Sequence, residues 1–480
     1  MPDTLQSWIG GAYRASAADR FIDDINPSDS DDVVARVPSG APADVAAAVE
    51  AAAAAQPAWR RLPGPSRAEH LYRWAQAIEA RRQELARSVS REVGKPIGEA
   101  NGEVARCIVI LRYYAGEAVR SIGEVVPAQV PDALQFTLRE PLGVVALVTP
   151  WNFPVAIPLW KAAPAIAFGN TVVLKPAEQA SRVALLLAET AASAGLPAGV
   201  FNVVVGSGRV IGDALLRAEP VRALSFTGST EVGMHVAAVC AQRNIRYQTE
   251  MGGKNVVIVL PDADLDLAAK LTANGAMRYA GQKCTATSRA VVVKSVEQAF
   301  LDRLRAQVEA LPLGPVDEPD SAVGPLIDEA SRERIRAALE GANGSRVFGG
   351  GAPSDARLAR GWFVEPAVVR DVPPDSPLAQ DELFGPVLAT FTANDIDEAI
   401  TLANRSRYGL SASIFTRDIR AALEFIHRIE VGLVRVNGDT TGVDPHAPFG
   451  GVKASSSGSR EQGPAAREFY TEIKTVQVNP

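Results

Sequence analysis

Three short segments carry side chains able to do covalent chemistry. In GQKCTATSR (281–289), Cys284 lies between a glycine-led turn and a run of hydroxyl residues. It reads as a nucleophile or as a structural thiol, since free cysteine is among the most buried residue types. A nucleophilic thiol needs a base or a depressed pKa. No histidine lies near it in sequence, which weighs against a cysteine–histidine hydrolase. In TEMGGKN (249–255), Glu250 precedes Gly252 and Gly253, as a general base at a cleft or an ordinary turn glutamate would. In TPWNFPVAIPLWK (149–161), the Asn152 side-chain N–H could hold an oxyanion. Pro150 and Pro154 would stiffen its placement, and a turn with aromatic packing is the alternative.

A second set of residues suits phosphate and sugar. FTGSTEVG (226–233) joins a strand, the turn Thr227-Gly228-Ser229 and a helix start, so main-chain N–H groups could face a pyrophosphate. GSGRVIG (206–212) also follows a strand, but its spacing departs from the usual glycine fingerprint. LKPAE (174–178) ends another strand, and Lys175 and Glu178 could reach ribose hydroxyls.

These residues need a scaffold of strands and helices. APADVAAAVEAAAAAQPA (41–58) is predicted as a helix ended by Pro57, Ser66 to Gly94 as one long helix, and Glu99 to Arg120 as a third. From Leu142 the pattern alternates. LGVVALVT (142–149), TVVLK (171–175), FNVVV (201–205) and ALSF (223–226) read as buried strands separated by helices. Ser181 is expected to cap one of those helices, with Gly195 and Pro197 closing it. A second alternating set runs from NVVIVL (255–260) through AVVVK (290–294), PVLATFT (386–392) and LSASIF (410–415) to GLVRV (432–436). The expectation is α/β: two doubly wound lobes with a ligand cleft between them.

Composition removes several function classes. The 480 residues carry 49 Lys+Arg against 55 Asp+Glu, with no dense basic block, which argues against a nucleic-acid surface. Cys107, Cys240 and Cys284 lie far apart, so neither a disulfide framework nor a CxxC site is expected. The four histidines are scattered, and no metal is expected. No apolar run is long enough for a membrane span and no leader is visible, so a cytoplasmic protein is the default expectation.

TPWNFP, LKPAE, FTGSTEVG, EMGGK, GQKC, ELFGP (382–386) and PFGG-K (448–453) occur in one chain in this order. Together they resemble the NAD(P)-dependent aldehyde dehydrogenase superfamily, from about Trp8 to Val478. The resemblance implies that Cys284 is the catalytic thiol and Glu250 the base that activates the hydrolytic water. It implies Asn152 as the oxyanion amide, Lys175 as a further catalytic residue, and Glu461 in SREQG (459–463) as a proton-relay carboxylate. It implies cofactor contacts at Thr149, Pro150, Trp151, Lys175, Ala177, Glu178, Gly208, Phe226, Thr227, Gly228, Ser229, Val232, Met251, Gly252, Glu382 and Phe384. Glu178 would repel a 2′-phosphate, which favours NAD and leaves NADP as a second possibility. The implied domains are 1–120 with 141–251 for the cofactor and 252–455 for catalysis. A small β oligomerisation domain comprises 121–140 with 456–480, and implies a homodimer or homotetramer. A non-catalytic structural descendant is disfavoured because Cys284, Glu250 and Asn152 occur together.

The aldehyde is less legible. Arg278, six residues before Cys284, is a candidate carboxylate clamp or a plain surface arginine. Succinic semialdehyde dehydrogenases resemble the chain there, but carry a second arginine where this chain has Trp160. The segment 448–476, with GQKCTATSR and YQTEMGGKN, is most similar to bacterial α-ketoglutaric semialdehyde dehydrogenases. That similarity implies a carboxylated aldehyde, with Phe153, Arg278, Ser288, Ser455 and Ser456 as substrate contacts. A broad-specificity aldehyde dehydrogenase is the alternative.

Overall fold

The computed structural model describes residues 2–120, 123–342 and 344–480. Positions 121 and 122, which open the expected β domain, lie outside the described residues, as does Met1.

The N-terminal part supplies helices α1 (Pro42–Arg61), α2 (Gly64–Ala80), α3 (Arg82–Val93) and α4 (Ile97–Glu117). α1 runs through Pro57 instead of stopping there. Trp59 holds the last turn down, buried and donating its indole N–H to the Ile166 carbonyl at 3.0 Å. The predicted helix 66–94 is two helices that meet at Arg81, whose ψ of 18° breaks the helical path. Gly94 ends α3 in the left-handed region at φ 66°, and a side chain there would run into Pro325 and Pro27.

The apolar runs form two sheets. The first has the strand order 12–14, 7–9, 201–203, 171–175, 144–148, 221–227, 246–250, 456–458. Its five central strands are mutually parallel. Val144–Val148, first in sequence of these, lies between two strands that follow it, so the chain changes direction there. Ligands of such sheets sit at the carboxyl ends of strands flanking that switch. Helices α5 (Ala156–Ala167) and α6 (Ser181–Ser193) connect it. Ser181 is the first residue of α6 rather than its cap, and its hydroxyl turns back to the Ala177 carbonyl.

The second sheet runs 345–349, 367–370, 387–393, 287–293, 255–259, 411–415, 433–436, parallel except at its first strand. Each sheet is covered by helices and has its own apolar core, as continuous hydrophobic strands require. A third, smaller sheet pairs Thr471–Val478 with Leu134–Pro141 along their full length, and Val125–Val126 flanks the latter.

The expected boundary at 456 needs correction. Ser456–Gly458 does not join the small sheet. It pairs antiparallel with Arg246–Glu250, setting Ser456 opposite Glu250. The small side chains of this stretch and Gly458, at φ 85° against the Tyr247 carbonyl, allow the close approach. Among the described residues, no helix is long and apolar enough to cross a membrane.

Candidate active site

The thiol sits on a strained loop. Tyr279, Ala280 and Gly281 are successive left-handed residues at φ 55°, 50° and 64°. For the two non-glycine residues this costs roughly 1 kcal/mol or more each, so surrounding structure must hold them. Tyr279 is buried and donates its main-chain N–H to the Ala322 carbonyl at 3.0 Å. A side chain at Gly281 would strike the Gly385 carbonyl. Asn255 then staples the far side, donating from Nδ2 to the carbonyls of Cys284 and Ala286, both at 2.8 Å. Burial, with Glu382 and Glu250 adding to it, pushes the half-buried Cys284 thiol up to about 12.

Asn152 comes to this loop from the other lobe. Its Nδ2 donates to the Gln282 carbonyl at 3.0 Å, which leaves its second N–H for a ligand, and its Oδ1 is buried without a partner. The asparagine turn is itself held by a buried ion pair. Lys95 pairs with Glu103 and donates to the Asn152 carbonyl at 2.6 Å. The other Glu103 oxygen accepts the main-chain N–H groups of Val155 and Ala156, each at 2.9 Å. The ammonium also lies over the rings of Phe153, at 3.9 Å, and Tyr279, at 4.5 Å. One lysine therefore touches the asparagine turn and the thiol loop together. Sequence reading missed Lys95, Glu103 and Asn255. Their only signal was a polar residue at an otherwise apolar position, which gains meaning once a partner is known.

Glu250 and Glu461 lie close together across the paired strands. Glu250 Oε2 accepts from Ser456 Oγ at 2.6 Å, while Oε1 is buried and free of partners. Gly450 leaves room for it, because a side chain there would reach within 2.7 Å of Oε1. Burial, reinforced by Glu461, raises the Glu250 carboxyl well above the ordinary carboxylate range. Glu461 is ion-paired with Lys161 and accepts from Trp160 Nε1 at 2.7 Å and Ser225 Oγ at 3.0 Å. The Trp160 indole thus serves this carboxylate.

The expected cofactor residues converge at the carboxyl ends of the first sheet. Lys175 and Glu178 stand together beside Gly208, whose N–H donates to Glu178 Oε1 at 3.0 Å. Burial lowers Lys175 to about 8, and its ammonium bonds the Pro176 carbonyl; Ala177 links these residues in the same turn. Ser229 caps the helix Thr230–Gln242 by accepting the Val232 N–H. The Phe226 ring covers Gly228 and Gly233, and the Met251 side chain closes on Gly233. Gly208–Gly212, the departing glycine motif, forms a π-helical turn. Glu382 Oε1 accepts the Gly253 N–H at 2.9 Å, and burial lifts its pKa to about 7. Gly252 must lack a side chain for Glu382 to fit. Phe384, at φ 55°, meets Trp151 edge-on at 5.5 Å. Thr149 Oγ1, just before Pro150, and Thr227 Oγ1 are buried without partners at the ends of adjacent strands. Buried hydroxyls are rarely left so, and both fit a cofactor bound across these strand ends.

The expected substrate residues divide. Phe153 packs on Lys95, and Ser456 reaches Glu250. Ser455 Oγ accepts the Gly409 N–H, and Ser288 Oγ is turned to the Asn255 carbonyl. Arg278 is ion-paired with Glu99 at 2.8 Å, and Lys283 shares that carboxylate at 3.2 Å.

A thiol, an amide donor and a buried carboxylate stand beside strand ends that carry two buried, unpartnered hydroxyls among the described residues. The sequence model of the aldehyde dehydrogenase family matches residues 13–476. The chain belongs to this family. It is 44% identical to the alpha-ketoglutaric semialdehyde dehydrogenase of Bacillus subtilis, covering 100% of this chain and 99% of that one. It is 42% identical to the alpha-ketoglutarate semialdehyde dehydrogenase of Haloferax volcanii, covering 99% of each. The crystal structure of an NAD-dependent aldehyde dehydrogenase from Sinorhizobium meliloti superposes with a TM-score of 0.95 at 36% identity, covering 99% of this chain and 95% of that one. The enzyme shares their α/β architecture throughout.

Proposed function

We propose that the enzyme oxidises α-ketoglutaric semialdehyde to 2-oxoglutarate with NAD. The observation that carries the chemistry is the meeting, from separate elements, of Cys284, the tethered Asn152 amide and the free oxygen of Glu250. The substrate rests on the relatives of that name. Glu178 beside Gly208 supports NAD over NADP, because a second anion at the ribose would face a carboxylate.

In this reading the thiol gives up its proton to water, and sulfur adds to the aldehyde carbon, forming the C–S bond while the carbonyl π pair moves to oxygen. The oxygen that becomes charged lies against the free Asn152 N–H, worth about 3 kcal/mol in the transition state. Nicotinamide, when bound, would accept the hydride released from that carbon as the C–H bond breaks and the C=O bond re-forms. The thioester left on Cys284 is attacked by water that passes its proton to Glu250, and the C–S bond breaks to release the acid and regenerate the thiol. Ser456 orients Glu250, while Lys161 and Glu461 lie within the field that sets its proton affinity.

The small sheet supports a homodimer or homotetramer. Among the described residues, its edge strand Thr471–Val478 has one side unpaired, with Ile473 and Val478 exposed.

The test is initial-rate NADH formation with α-ketoglutaric, succinic and glutaric semialdehydes and with pentanal, repeated with NADP and with Cys284→Ser. The keto acid is expected to lead in kcat/KM by about tenfold, or ~1.4 kcal/mol, and Cys284→Ser to abolish turnover. Equal rates with pentanal would make this a general aldehyde dehydrogenase.

A further inference from the structure

Arg106, in the middle of α4, is half-buried, and among the described residues its guanidinium is not satisfied. Its Nε is shielded from solvent and has no hydrogen-bond partner, and among the described residues its guanidinium has no ion pair. Two other arginines near the thiol loop are provided for. The buried Arg289 donates to the carbonyls of Lys254, Leu402 and Ala403, and Arg278 is held by Glu99. A guanidinium does not shed its charge, and enclosing one without a partner costs free energy that a folded protein seldom leaves uncompensated.

Its surroundings say what would satisfy it. One turn before Arg106 on the same helix, Glu103 grips the asparagine turn, so this part of α4 faces the site. Glu103 has no oxygen to spare, being engaged by Lys95 and two main-chain amides. Two turns beyond Arg106, Tyr113 meets His446 at 6.4 Å. The segment that carries His446, with Asp444 within electrostatic reach of Arg106, continues to Val443 and Phe449, which pack in one cluster with Cys284. Phe449 also lies against Trp160, 5.5 Å between ring centres. α4, the asparagine turn and the segment 443–449 thus border the approach to the thiol, and Arg106 stands on that border.

We propose that Arg106, rather than Arg278, binds the distal carboxylate of the substrate and selects acidic aldehydes over neutral ones. The proposal rests on the semialdehyde reading above. A planar guanidinium takes a carboxylate through two parallel N–H bonds. The aldehyde end then points inward to Cys284 and Asn152. Arg278 is already paired through its Nε with Glu99, which neutralises its charge locally.

The experiment compares Arg106→Met, Arg106→Lys and Arg278→Ala with wild type on α-ketoglutaric semialdehyde and pentanal, with glutarate as a competitive, non-reacting probe. Arg106→Met is expected to lower kcat/KM for the keto acid about 100-fold, mostly through KM, and about tenfold more than for pentanal. The glutarate inhibition constant should rise in parallel. Arg106→Lys should recover part of both, which a folding defect would not produce. Arg278→Ala should lower both substrates by one common factor. Retained acid selectivity in Arg106→Met, or selective loss in Arg278→Ala, overturns the assignment and leaves the substrate reading standing. A wild-type enzyme that treats both substrates alike, and ignores glutarate, overturns both.

Discussion

At the scale of single residues, the site is built from groups held in their less reactive protonation states. Cys284 is pushed up to about 12 and Glu250 well above the ordinary carboxylate range, both chiefly by burial. A thiol with a raised pKa reacts as thiolate only in proportion to hydroxide. In the cofactor-free enzyme, iodoacetamide alkylation of Cys284 should therefore quicken about tenfold per pH unit between about pH 7 and about pH 9. A rate that levels off near pH ~8 would mean that the thiol is not raised. The Glu382 carboxylate adds to the shift, and Glu382→Gln should move the profile to lower pH.

At the scale of elements, the Lys95–Glu103 pair joins α3's exit, α4, the asparagine turn and the rings of Phe153 and Tyr279. Lys95 touches no reacting atom in this arrangement; it positions Asn152. Lys95→Met should lower kcat on the order of 10²-fold through misplacement of the amide, with little change in KM for the cofactor. It should also cost about 3–5 kcal/mol of stability by stranding Glu103. Lys95→Met/Glu103→Gln should regain stability but not kcat. In an Asn152→Ala background Lys95→Met should add little, as residues acting through one group are not additive. Full additivity would assign Lys95 a purely structural role. This pair also marks the limit of what the sequence discloses. Cys284, Glu250 and Asn152 could be read because each sits in a short motif, and the motifs together, in one order, resemble one family. The continuous apolar strands were legible for the same local reason. Lys95 acts on a carbonyl 57 residues away, and Arg106 is notable only for lacking a partner, so neither shows before the chain is folded. Pro57 misled because its helix is fixed from outside, by Trp59 on Ile166. Arg278 drew attention by its distance from Cys284, yet its partner Glu99 lies on α4, beyond any local pattern.

At the scale of the whole molecule, two lobes contribute to one site and the C-terminal segment fastens it. The strand Thr471–Val478 leaves an unpaired edge with Ile473 and Val478 outward. If copies of the chain meet there, Ile473→Glu/Val478→Glu should reduce the native mass measured by light scattering to that of one chain. An unchanged mass would place the contact elsewhere. The pairing of Ser456–Gly458 with Arg246–Glu250 has a consequence for biosynthesis. Ser456, which bonds the proposed base, and Glu461, whose charge acts on it, leave the ribosome long after Cys284. The nascent chain therefore carries a nucleophile before it carries a hydrolytic site. A product cut short before residue 456 would lack the partner that holds the Glu250 carboxyl, so emergence of 456–461 is the step that completes the proposed hydrolytic site.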